Sequence, residues 1–136
     1  MSPRSEEFMD SARERLRGAH DALAAEHLDL AVSAAYYAML YAARAALSEG
    51  DEHARTHRGT WNLFRERYVM TDAFDDALYR LSQHAQTARE GADYEAVTPS
   101  EEDAKRYVDG AADFVAAVER MLDVSDEGPC LAPPAG

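Results

Sequence analysis

The side chains able to bind an anion or move a proton fall in a few short stretches. Arg89-Glu90-Gly91-Ala92-Asp93-Tyr94 sets a permanent cation five positions before a phenol. Arginine can stabilise charge developing on a phosphate. A phenol with a reference pKa of about 10 is a poor base at neutral pH and serves better as a hydrogen-bond donor. Arg89 also has a plain structural reading, an ion pair with Asp93. Tyr36, Tyr37, Tyr41 and Arg44 lie close together; tyrosines in such a run pack into a core with the hydroxyl on a carbonyl or at the surface, and Arg44 reads as solvated or salt-bridged. In Thr56-His57-Arg58-Gly59, His57 is an imidazole beside a cation, and Thr56 with His57 can also cap a following helix. His53 and His57 are four apart beside Glu52, which on a helix would place two imidazoles on one face. The run is instead a polar turn with too few ligands for zinc, so no metal site is expected. Glycine-rich phosphate loops, paired cysteines and a His-Glu-x-x-His helix are all missing, and no cofactor is expected. Cys130 is the sole cysteine, so it closes no intrachain disulfide and builds no thiolate metal site.

These groups need elements to hold them. Phe8, Ala12, Leu16, Ala19 and Leu23 recur at spacings of three and four and predict a first helix from about Ser5 to Ala25, with Arg13, Glu14, Arg17 and Asp21 on its other side. Leu30, Ala34, Tyr37, Tyr41 and Ala45 predict a second, ending near Gly50. Between Ala31 and Leu47 its only charged residue is Arg44, which marks it as the central helix and the best candidate for a subunit interface. Trp61, Phe64 and Tyr68 start a third helix. Thr71 is placed to cap a fourth carrying Phe74, Leu78, Leu81 and Ala85, which Gly91 weakens or ends. Ser100 with Asp103 resembles a capping box, and Val108, Ala111, Val115, Val118 and Leu122 form the seam of a fifth. From Ser125 the composition turns to Asp, Glu, Gly and Pro and predicts a disordered tail.

Short connections favour antiparallel neighbours, so the expected fold is all-α: an antiparallel bundle of four to five helices, one domain over 1–124 followed by a tail over 125–136. With 136 residues there is no room for two ordinary cores. The chain has no isoleucine and no alternating β-branched run, so sheet is not expected. Neither a span of about 20 apolar residues nor a secretion signal is read in it, which predicts a cytoplasmic protein without a membrane partner. Fourteen basic residues, all arginine except Lys105, face 26 acidic ones for a net charge of −12. Adaptation to a salty cytoplasm would produce such a surface. It repels a phosphate backbone at long range, so RNA is not the favoured ligand and any nucleic-acid contact needs a local basic site.

Taken in order, Ser33-Ala34-Ala35-Tyr36-Tyr37-Ala38-Met39, Ala42-Ala43-Arg44-Ala45, Thr56-His57-Arg58-Gly59 with Phe64, then Arg89 with Ala92-Asp93-Tyr94 and an alanine-rich closing helix resemble the HEPN superfamily, in particular its small stand-alone bacterial and archaeal members. The resemblance spans about Phe8 to Leu122. It implies a helical bundle, usually dimeric. It also implies a role as a metal-independent ribonuclease, often a toxin in a toxin–antitoxin pair with a minimal nucleotidyltransferase, whose motif is an arginine, four to six residues and a histidine where two subunits meet. Arg89 matches the arginine. Tyr94 stands where the histidine would, and no histidine follows it.

A binding or vestigial site is therefore expected around Arg89, Asp93, Tyr94, Tyr37, Arg44 and His57. The function expected is that of a homodimeric module acting by protein association, with a separate nucleotidyltransferase as the partner. The alternatives are an endoribonuclease using His57 or His84 as a displaced base, and an inert scaffold. A helical turn of about 100° per residue sets His84 and Arg89 about 140° apart, so those two should diverge.

Overall fold

The computed structural model describes residues 1–131, with side chains described through residue 123. It contains α1 (Pro3–Ala24), α2 (Leu28–Glu49), α3 (His57–Phe64) continuing into a π-helical turn at Arg65–Val69, α4 (Asp76–Glu95) and α5 (Glu101–Leu131). The fold is the expected all-α bundle, and no strand occurs among the described residues.

α2 is the central element, packed on α1, α3, α4 and α5. Its alanines let neighbouring backbones come close: Ala31, Ala35, Ala38, Ala42, Ala43, Ala45 and Ala46 are all fully buried, with Val32, Tyr36, Met39 and Leu40 between them. By length and composition α2 could cross a membrane, yet 67% of its apolar window is buried inside the bundle, as befits a core helix. Of the residues that marked this helix in the sequence, Ala45 is fully buried, Ala34, Tyr37 and Tyr41 are half-buried against the core, and Leu30 is 61% exposed. A helix that is apolar nearly all round offers no phase by which to choose its face. Under α2 lies an aromatic cluster, where Trp61 and Phe64 from α3 and Phe74 meet Phe114 of α5 with ring centroids 4.7–6.0 Å apart. The α5 seam, Val108 through Leu122, is buried as expected.

The helix ends show how the turns close. Ser2 caps α1 through Ser5 N, and Ser100 Oγ accepts from Asp103 N at 3.0 Å to start α5. Thr71 does not cap α4. Its hydroxyl donates to the carbonyls of Arg67 and Tyr68, sealing the π-helical turn, and Asp75 caps instead by accepting from Ala77 N and Leu78 N. Gly91 does not end α4 either; the helix runs on to Glu95 and stops where Ala96 turns left-handed. α1 and α2 close by paired backbone bonds, His27 N to Ala22 O with Glu26 N to Leu23 O, and Glu52 N to Leu47 O with Asp51 N to Ser48 O. The left-handed positions there, Glu26 (φ 61°) and Asp51 (φ 58°), are not glycine, and Asp72 (φ 63°) is a third acidic residue of this kind. α5 continues past Ser125 to Leu131. Residues 132–136 and the side chains from 124 onward lie outside the described residues. Of the disordered tail expected over 125–136, the backbone of 125–131 is helical instead, and the rest lies outside the described residues.

Candidate functional site

Three helices meet at one hub. Thr56 caps α3 by accepting from Gly59 N at 2.9 Å, which sets His57 at the first helical position and turns it toward α2. One turn on, Trp61 donates from Nε1 to the Tyr36 hydroxyl at 3.0 Å, and that hydroxyl lies 3.1 Å from His57 Nδ1. From α4, the Arg89 guanidinium lies over the rings of Tyr36 and Tyr37, 5.3 and 5.5 Å from their centroids. The His57 ring packs on the same two tyrosines, tilted on Tyr36 at 5.7 Å and edge-on to Tyr37 at 5.8 Å. Consecutive positions on α2 explain the division of labour: a step of about 100° sends Tyr36 fully inward and leaves Tyr37 at the rim.

The proton positions follow from counting donors and acceptors. Tyr36 is fully buried and its oxygen already accepts from Trp61, so the remaining need of its hydroxyl is an acceptor for its own hydrogen. His57 Nδ1 is that acceptor. The assignment requires a neutral imidazole with its proton on Nε2, and the electrostatics agree. Burial, reinforced by the positive fields of Arg44 and Arg89 and opposed by Glu90, holds His57 below the usual imidazole range. Burial likewise pushes the Tyr36 phenol up, against the Trp61 hydrogen bond and the two arginines, so it stays protonated. The ring nitrogen left to the outside is therefore an N–H, a donor that can meet an anion but cannot take a proton.

Arg89 donates to Asp93 at 2.9 Å, the ion pair the i,i+4 spacing suggested, and its side chain is only 14% exposed. Its Nε is buried without a hydrogen-bond partner, shielded by the tyrosine faces. Arg44 sits to one side, donating from Nε to Thr60 Oγ1 at 3.4 Å and lying over Tyr41 at 5.9 Å. The rim extends this pattern, with Arg15 of α1 over both Tyr37 and Tyr41 at 5.6 and 5.5 Å.

Of the six residues expected at the site, Arg89, Tyr37 and His57 come together, Arg44 flanks them, and Asp93 reaches them only through Arg89. Tyr94 does not join: it is 80% exposed on the outer side of α4. His84 is exposed on α4, outside the cluster. The His53–His57 pair does not form one face, because α3 begins at His57 and His53 lies in the preceding loop. Trp61 and Arg15 are the residues that sequence reasoning missed. Trp61 looked like plain core, and only the need of a buried indole N–H for a partner could have pointed to Tyr36. Arg15 lies among the charges of α1 with no local sign that it crosses to α2.

A family model described as HEPN domain matches residues 5–121. The chain is similar to a Methanocaldococcus jannaschii protein named "Putative toxin MJ0142", 26% identical over 103 residues that cover 76% of this chain and 70% of that one. It is also similar to a UPF0332 protein of Gloeobacter violaceus, 32% identical over 125 residues that cover 90% of this chain and 98% of the relative.

Proposed function

The chain belongs to the HEPN family, and on that premise we propose that it works as the binding half of a toxin-type system. In this reading it associates as a homodimer and with a separate minimal nucleotidyltransferase, and it cleaves RNA little or not at all. The name carried by the Methanocaldococcus relative supports the toxin-type setting. The observation that carries the reading is the proton wiring of the hub. Cleavage through a ribose 2′-hydroxyl needs a proton acceptor beside the cation. By the count of donors and acceptors, the imidazole beside Arg89 accepts from Tyr36 at Nδ1, 3.1 Å away, and carries its proton on the other nitrogen. Tyr94, five positions after Arg89, points away into solvent. Arg89, His57 and Tyr37 can hold an anionic group without turning it over.

The test is incubation of purified protein with a mixed RNA pool in EDTA at several pH values, beside Arg89→Ala and Tyr94→His. The parent protein is expected to be silent, and so is Tyr94→His, because a base at position 94 lies on the wrong side of α4. Robust parental cleavage that disappears in Arg89→Ala overturns the reading. In parallel, a nucleotidyltransferase from the same genome, co-expressed with the tagged chain, should be retained by the parent and lost with Arg89→Ala.

One observation favours the endoribonuclease alternative: His57 lies beside Arg89 within a single subunit, both against Tyr36. Tyr36→Phe removes the hydroxyl that occupies Nδ1, and cleavage gained in that variant would show a base held in check.

A further inference from the structure

A second basic site adjoins the hub and shares Arg44 with it. A cavity of about 290 Å³ opens between the start of α1, the end of α2 and the loop before α3, and Arg4, Arg44, Arg55 and His53 line it around an apolar wall of Phe8 and Leu47. In a chain of net charge −12 this cavity has no carboxylate in its lining. Two nearby acids are engaged elsewhere: Glu49 accepts from Ser2 N at 2.9 Å and lies 3.9 Å from the amino terminus, and Glu52 holds Arg67 through two bonds of 2.7 and 2.9 Å. Glu7 lines the adjoining surface beside Arg4 and Phe8 without an ion pair to Arg4. Arg4, Arg44 and Arg55 make no ion pair within the described residues. Two of the three are already set in place by aromatic faces, Arg4 over Phe8 and Arg44 over Tyr41, each at 5.9 Å.

We propose that this cavity, where Arg4, Arg44 and Arg55 converge with His53 beside Phe8, binds a small organic phosphate monoester. Three guanidinium groups that form no ion pair among the described residues favour more than one negative charge, and a phosphate monoester is largely a dianion at neutral pH because its second pKa is about 6. Guanidinium forks match its oxygens two at a time. The phenyl ring of Phe8 and the Leu47 side chain give the organic substituent an apolar surface, which inorganic phosphate would leave unused. Stacking of Arg4 and Arg44 on rings lowers the ordering cost of binding. The inference does not rest on the hub reading, since neither Arg89 nor His57 lines this cavity.

The experiment is calorimetric titration of the intact protein at low ionic strength with phenyl phosphate, inorganic phosphate and benzoate. Phenyl phosphate is expected to bind at least about tenfold more tightly than benzoate and more tightly than inorganic phosphate. Arg4→Ala and Arg55→Ala, both at exposed positions where truncation should leave the fold intact, should each weaken phenyl phosphate by about tenfold or more. Phe8→Ala should erase its advantage over inorganic phosphate. Arg17→Ala removes the same charge about 20 Å further along α1 and should leave binding unchanged. The proposal is overturned by absence of phenyl phosphate binding, by benzoate binding as tightly, or by Arg17→Ala weakening binding as much as Arg4→Ala does.

Discussion

The start of α3 and the end of α4 each present chemistry-bearing residues within a few positions, and the bundle treats them in opposite ways. At the start of α3, His57 and Trp61 turn inward and share one chain of hydrogen bonds with Tyr36, while Thr56 stays exposed and caps the helix through Gly59 N. At the end of α4 the same backbone periodicity splits the motif: Arg89 goes in, Asp93 stays at the edge and Tyr94 points out. A motif written along one helix is thus a statement about direction as much as spacing. Four residues place Asp93 over Arg89; five carry Tyr94 well around the helix.

The sharpest way to break this contrast is to truncate one residue from each region. Trp61→Ala should cost about 3–5 kcal/mol, since it opens a cavity among Phe64, Tyr79 and Phe114. Tyr94→Ala should stay within about 0.5 kcal/mol. Urea unfolding midpoints compare them directly, and similar losses would mean that Tyr94 packs against something this structure does not place beside it.

A smaller effect is expected from Tyr36→Phe, which leaves the ring but removes the oxygen that Trp61 donates to. The orphaned buried N–H should cost about 1–3 kcal/mol. In the same variant His57 loses its Nδ1 donor, and nitrogen chemical shifts of the imidazole should show its tautomer relaxing. An unchanged tautomer would refute the wiring.

The smallest effect is a pH dependence. The folded His57 is held below its usual range, so as pH falls the unfolded chain binds a proton first. Stability from this group is complete above the unfolded value of about 6.5 and is lost as pH drops toward the lower folded value. Thermal melting of His57→Gln should therefore fall less steeply below about pH 6.5 than that of the parent. Parallel curves would show an imidazole that titrates as it does in the unfolded chain.

Much of the fold was legible because α1 and α5 carry clean three-and-four stripes and because no segment alternates as a strand does. The errors have local causes. Thr71 and Asp75 are both capping types, and what decides between them is the π-helical turn, whose closing carbonyls occupy the Thr71 hydroxyl. Gly91 lies inside α4 because a glycine costs a helix only about 1 kcal/mol, too little to end one that packs along α2 and α5. The candidate site was half legible. Arg89, Tyr37, Arg44 and His57 were recognisable as residue types, but that α2, α3 and α4 bring them to one point is a fact of packing, and the role of Trp61 lies entirely in that packing. Tyr94 was misplaced because its neighbour in the chain, Asp93, is where the helix returns to Arg89.

The acidic residues at Glu26, Asp51 and Asp72 carry a lesson about what shaped the surface. Each adopts a left-handed backbone that glycine would accept more cheaply, and Asp51 sets a negative charge at the negative end of the α2 dipole. Stability alone would have chosen glycine or a cation at such places. These positions add to the net charge of −12 at sites where the backbone itself gives no reason for an acid. A chain this acidic should grow more stable as added salt screens its self-repulsion, as melting temperatures measured across a salt series would show.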